Sequence, residues 1–207
     1  WDKFLELAST ISDERLLEVE NLVQFDDPIN LQYTSGTTGF PKGVTLTHHN
    51  ILNNGYFIGE RLQYTEKDIV CIPVPLFHCF GMVIGNLACT THGATMVYPS
   101  ESFNPTLTLQ AVQEERCTSL YGVPTMFISE LQLPNFEDYD LKSLRTGVMA
   151  GSPCPVEILK QVQLKMFMKE VTICYGMTET SPVSTQTYIG APLEKQVASV
   201  GTIQDHL

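Results

Sequence analysis

Along most of this 207-residue chain, short apolar runs of strand length alternate with stretches of helical period, and this alternation restricts the fold more than any other feature. Strands are expected at 29–33, 69–74, 95–98, 119–121, 144–150 and 171–174. Helices are expected near 50–62, 82–89, 105–116, 125–131 and 155–168. Strand and helix in alternation imply an α/β fold with a mostly parallel sheet covered by helices on both faces. Ahead of this pattern, Ser12 offers an N-cap, Asp13 and Glu14 fill the first turn, and Leu16, Val19, Leu22 and Val23 recur at helical spacing. That amphipathic helix ends at Asp27-Pro28. There are no internal repeats.

Charge excludes several partners. With 23 acidic and 12 basic residues the chain carries −11, and no lysine or arginine run interrupts the acidic balance. A nucleic-acid surface needs a concentrated basic patch, and an anionic lipid surface needs the same. The longest apolar tract, 80–98, is broken by Asn86, Thr90, Thr91, His92 and Gly93, so no membrane span is expected. The opening residues lack the basic and apolar regions of a signal peptide. Six cysteines are scattered without a CxxC pair and read as reduced core thiols of an intracellular, reducing compartment. His48, His49, Cys71, Cys79 and His92 lack the spacing of a zinc site. Only 17% of residues are charged, against a usual value of about 25%, as expected where part of the surface is covered by protein. That low charge, the opening Trp1 and the unterminated close at Gln204 to Leu207 lead us to expect a fragment.

One loop dominates the chemistry. After the strand ending at Tyr33 come Thr34, Ser35, Gly36, Thr37, Thr38, Gly39, Phe40, Pro41, Lys42 and Gly43, with four hydroxyls, three glycines and a lysine in ten residues. Glycines let backbone N–H groups approach a phosphate, hydroxyls add rotatable donors, and lysine adds a compact positive charge. A P-loop is disfavoured, because the glycine spacing is wrong and Gly43 stands where a hydroxyl for Mg²⁺ is needed.

The segment 33–44 resembles the signature phosphate loop of the AMP-forming acyl-CoA synthetase, luciferase and adenylation-domain superfamily. Three later segments agree in order. Pro75-Leu76-Phe77-His78-Cys79-Phe80-Gly81 resembles the acyl-site motif, Ala150-Gly151-Ser152-Pro153 the adenine-side turn, and Tyr175-Gly176-Met177-Thr178-Glu179-Thr180 the Tyr-Gly-x-Thr-Glu motif. The resemblance covers about 29–201, and the segment 121–127 is most like the medium-chain acyl-CoA synthetases. It implies a two-step reaction. A carboxylate attacks the α-phosphate of ATP, giving acyl-adenylate and pyrophosphate, and the thiol of coenzyme A then displaces AMP. It also implies roles: Thr34 to Lys42 on the β- and γ-phosphates, Thr178 on the α-phosphate, Glu179 on Mg²⁺, Tyr175 against adenine beside Gly176, and the backbone of Gly151 and Ser152 at the adenine edge. Further, it implies that the chain is the central portion of the AMP-binding domain, without its N-terminal part and the small C-terminal domain. The subgroup resemblance implies a mitochondrial matrix location, with the cytoplasm as the alternative.

Substrate class is read from the acyl-site motif. Amino-acid-activating relatives place an aspartate shortly after the motif's proline, since a buried ammonium needs a carboxylate partner. Here 76–85 is apolar apart from His78. Gly81 and Gly85, four apart, would share one helix face and leave a groove for an alkyl chain, with Gly122, Val123 and Met126 extending its wall. The expectation is a straight-chain fatty acid of medium length, with His78 near its carboxylate as in relatives. Two other readings stay open: activation of an aryl or other carboxylic acid, and a truncated, non-catalytic nucleotide-binding module.

Overall fold

The computed structural model describes residues 1–35 and 39–205. Two short N-terminal helices, α1 (Asp2–Glu6) and α2 (Asp13–Glu20), precede an antiparallel hairpin of β1 (Pro28–Thr34) and β2 (Lys42–Thr47). Next comes α3 (His48–Arg61), started by a capping box in which the Thr47 hydroxyl accepts from the Asn50 amide at 3.2 Å. Then follow β3 (Ile69–Cys71), a wide π-helical stretch Phe80–Leu87 running into α4 (Ala88–His92), and β4 (Thr95–Val97). The remaining elements are α5 (Pro105–Glu114), β5 (Ser119–Gly122), α6 (Pro124–Leu131), β6 (Thr146–Ala150), α7 (Val156–Lys165), β7 (Glu170–Gly176), β8 (Val183–Gln186), α8 (Leu193–Ala198) and β9 (Thr202–Ile203).

Seven strands form one sheet in the order β4-β3-β5-β6-β7-β8-β9, parallel from β4 to β7 and antiparallel at β8 and β9. Alternating strand residues feed two cores. Tyr121, Val148, Ala150 and Cys174 pack with Ile58 and Leu62 of α3 and its C-cap, Ile84 of the π-helical segment and Ala88 of α4. Leu120, Met149, Val171 and Ile173 pack with Leu109, Val112, Phe127, Leu159 and Val162 of α5, α6 and α7. Each fully buried aliphatic or aromatic side chain contributes roughly 1.5–3 kcal/mol. At the amino end of the strands, Arg145 bridges Asp68 at 2.9 Å and Glu170 at 3.0 Å, which leaves the carboxyl ends open for a site.

The expected α/β class is found, with corrections in detail. The expected strand 29–33 lies outside the main sheet, because Lys42–Thr47 folds back on it. Two antiparallel strands, β8 and β9, extend an edge that the apolar pattern did not reveal, since each is short and has one apolar residue, Val183 and Ile203. The expected strand 69–74 stops at Cys71, and Pro73 and Pro75 lead the chain away. All six cysteines are free, five of them buried and Cys154 partly so. Among the described residues no helix is long and apolar enough to cross a membrane.

No residue of α1 or α2 is buried, and Trp1, Phe4, Leu16, Leu17, Leu22, Phe25, Leu31 and Tyr33 lie exposed on this end of the chain. So much apolar surface on one end favours association. The isolated 207-residue chain is therefore expected to elute as oligomers and to bind a hydrophobic dye, and Leu22→Lys with Leu31→Lys should reduce both. Monodisperse monomer without dye binding would contradict this.

Candidate active site

A cavity of about 430 Å³ opens where the β1–β2 hairpin meets the carboxyl ends of β6 and β7. Thr34, Ser35 and Lys42 line it from the hairpin, with Thr34 and Lys42 paired across the two strands. His78, Cys79, Phe80 and Ile84 enter from the segment after β3. Ala150 ends β6 and Gly151 follows it, while Cys174, Tyr175 and Gly176 end β7 and Met177, Thr178 and Glu179 follow. Hence residues far apart in sequence share one space. Pro182 and Val183 close it.

Local chemistry explains several placements. Gly151 adopts φ +89°, a conformation side chains rarely take, so the chain can turn away sharply at the end of β6. At Gly176 a Cβ would lie 1.8 Å from the Pro182 carbonyl oxygen, so only glycine lets the outgoing strand return this close. Between them, Thr178–Thr180 forms one short helical turn with Thr178 buried and Glu179 exposed to the cavity. The Phe80 amide donates to His78 Nδ1 at 3.0 Å. That bond makes Nδ1 an acceptor and leaves the proton on Nε2 as a donor. Cys79 Sγ lies 3.8 Å from Thr178 Oγ1, and burial raises the thiol's pKa, so it is a neutral wall residue. Among the described residues Lys42 forms no ion pair.

A second cavity, of about 490 Å³, adjoins the first along Gly151, Cys174, Tyr175 and Gly176. Ser152 lines this one only, and the Tyr175 ring stands exposed at the junction of the two.

A family model described as AMP-binding enzyme matches residues 2–206. The chain belongs to the AMP-binding enzyme family. It is 52% identical over 206 residues to "Putative acyl-CoA synthetase YngI" of Bacillus subtilis, a match covering 100% of this chain and 37% of that protein. It is 44% identical over 207 residues to the mitochondrial medium-chain acyl-CoA ligase ACSF2 of Danio rerio, covering 98% of this chain and 34% of that protein. Among solved structures, o-succinylbenzoate coenzyme A synthetase of Bacillus subtilis, in complex with ATP and magnesium, matches with a TM-score of 0.76 at 31% identity, covering 88% of this chain and 37% of that one. The chain thus spans little more than a third of these relatives' lengths.

Within this AMP-binding domain, the site residues expected from sequence divide into three groups. Thr34, Ser35, Lys42, His78, Gly151, Tyr175, Gly176, Thr178 and Glu179 line the first cavity, and Ser152 the second. Gly36, Thr37 and Thr38 lie outside the described residues. Gly39, Phe40, Pro41, Gly81, Gly85 and Gly122 line neither cavity. Gly81 lies against the Pro75 carbonyl and Gly85 against Ile72, so their small size seats the π-helical segment rather than opening a groove. Gly122 packs on Phe127 in the same way. The cavity's apolar wall comes instead from Phe80, Ile84 and Val183, of which Val183 had no signal in sequence.

The residues present suit a hard divalent ion. Glu179 lines the same cavity as the hydroxyls of Thr34, Ser35 and Thr178 and would offer one carboxylate to an ion that completes its shell with phosphate oxygens and water.

Proposed function

We propose that this chain is the nucleotide- and acyl-binding core of an AMP-forming acyl-CoA ligase that activates a fatty acid with ATP and passes it to coenzyme A. The observation that carries this reading is the single cavity holding Lys42, the Thr34 and Ser35 hydroxyls, Thr178, Glu179 and His78 beside an apolar wall. In this reading Lys42 and the two hydroxyls hold the outer phosphates, Thr178 holds the α-phosphate, and Tyr175 covers adenine along Gly176, Gly151 and Ser152. The Nε2–H of His78 donates to the fatty-acid carboxylate, orienting one oxygen toward the α-phosphorus. Glu179 would hold Mg²⁺, which would neutralise charge at the phosphates. No carboxylate of the described wall would pair an amino acid's ammonium at the Phe80–Ile84 end, which favours a fatty acid, of medium length by likeness to the medium-chain relatives. The mitochondrial matrix is the proposed compartment, supported by the free thiols and the mitochondrial relative.

Pyrophosphate exchange by the full-length enzyme with octanoate, palmitate, benzoate and leucine tests the assignment. Octanoate should be preferred. Preference for leucine, or for benzoate over both fatty acids, would replace fatty acids with another substrate class. The isolated 207-residue chain is expected to make little or no thioester.

A further inference from the structure

Thr178 and Glu179 sit in a turn whose two ends are held differently. One end continues directly from β7, while the other returns through Pro182 to Val183, where β8 begins. Inside the turn, the Met177 amide donates to the Pro182 carbonyl at 3.0 Å and the Thr180 hydroxyl donates to the same oxygen at 2.7 Å. These bonds close the turn on itself. They do not fix where it stands relative to the hairpin that carries Lys42.

That placement comes in part from direct packing of the turn on β2 and in part from α3. Asn54, 5% exposed, donates through Nδ2 to the Val183 carbonyl at 2.8 Å, and its Oδ1 accepts from the Val183 amide at 3.0 Å. Pairing of β8 with β9 covers Thr185 and Gln186, so Val183 lies beyond it. A primary amide carries the same donor and acceptor as a peptide, so Asn54 completes both polar groups of Val183 at once. Asn54 sits midway along α3, and the N-terminal end of this helix follows β2 without a linker, through the Thr47–Asn50 capping box, with β2 beginning at Lys42. Just beyond Asn54 the helix is seated on the neighbouring helical segment: a Cβ at Gly55 would lie 2.6 Å from Leu87 Cβ, and one at Gly59 2.4 Å from the His92 ring. One rigid helix therefore joins the strand of Lys42 to the return end of the Thr178–Glu179 turn.

We propose that Asn54 is a positioning residue that sets the Thr178–Glu179 turn against Lys42, so that both reach the phosphates of one nucleotide. The inference rests on the functional reading above and adds a residue that touches no substrate. Supporting groups behind a binding residue typically change affinity or activity by about 10- to 100-fold when removed.

The test uses the full-length enzyme with Asn54→Ala and Asn54→Asp, the latter keeping an acceptor for the Val183 amide should the alanine variant fail to fold. Val112→Ala, in the core on the opposite face of the sheet, serves as a control for lost stability. Calorimetric titration with AMP in the presence of a chelator reads the turn without metal or turnover, and pyrophosphate exchange against Mg²⁺ concentration reads Glu179. Both Asn54 variants should weaken AMP about tenfold or more and raise the Mg²⁺ needed for half-maximal exchange by a similar factor. Val112→Ala should lower the melting midpoint and change neither. Wild-type AMP affinity and Mg²⁺ requirement in the Asn54 variants, or equal changes in Val112→Ala, would overturn the inference. Glu179→Gln separates this from the reading beneath it. If that variant exchanges like wild type, the functional reading falls and the inference with it. If it is slowed while the Asn54 variants are not, the inference alone falls.

Discussion

Lys42→Ala and Glu179→Gln in the full-length enzyme are each expected to slow adenylate formation by about a hundredfold or more while leaving the fold intact. Phosphoryl and nucleotidyl transfers offer a protein little covalent chemistry, so rate depends on charge placed where charge develops. Lys42 lines the cavity from the start of β2, opposite Thr34, and forms no ion pair among the described residues. Alanine removes the positive charge the hairpin contributes. Glutamine at 179 keeps shape and most hydrogen bonding but removes the anionic oxygen that a hard ion selects. Both side chains are exposed, so stability should change by no more than about 0.5 kcal/mol. The Glu179 variant should recover in part at high Mg²⁺, whereas the Lys42 variant should not. Pyrophosphate exchange at limiting and saturating Mg²⁺ makes the comparison. Wild-type exchange by both variants at limiting Mg²⁺ would falsify the site assignment.

That Thr34, Ser35 and Lys42 belong to one site was legible because their chemistry is local in sequence. Hydroxyls, glycines and lysine within ten positions specify a donor-rich loop whatever surrounds them. The Tyr175–Thr180 segment was legible for a similar reason, with Gly176 and Thr178 in fixed order around a turn. Val183 and Asn54 gave no such signal. Val183 reaches the cavity only because an antiparallel strand returns beside β7, and Asn54 matters only because α3 carries it to Val183, 129 positions away in sequence. Gly81 and Gly85 show the opposite failure. Spacing alone suggested a groove, but a glycine on a helix face serves equally well where a neighbouring backbone presses close, and Pro75 and Ile72 do so here. Strands β8 and β9 escaped because each has a single apolar residue, Val183 and Ile203, beside Ser, Thr or Gln, too few for an alternation to read.

Glu130→Met is expected to stabilise the protein, and to do so increasingly as pH rises. Glu130 lies near the end of α6, 1% exposed, and among the described residues neither carboxyl oxygen has a hydrogen-bonding partner. The helical pattern of 125–131 gave no warning that this acid faces inward. Burial pushes the carboxyl's own pKa well above the ordinary glutamate value, so the folded protein keeps a proton there that the unfolded chain releases. Below the ordinary glutamate range both states are protonated and the group adds no pH dependence. From that range up to the raised folded value, the folded state binds more protons, and stability falls by up to about 1.4 kcal/mol per pH unit. Methionine fills a similar volume with nothing to ionise or pair, removing that slope and also the roughly 1–3 kcal/mol cost of an unpaired buried polar group. Glutamine removes only the slope, because its amide would be as poorly paired as the acid. Melting midpoints at pH 5 and pH 8 should therefore converge for both variants relative to wild type, with methionine the higher of the two throughout. A wild-type protein whose midpoint is no more pH-sensitive than that of Glu130→Met would mean that Glu130 is ionised and paired in the folded state, contrary to the buried, protonated acid described here.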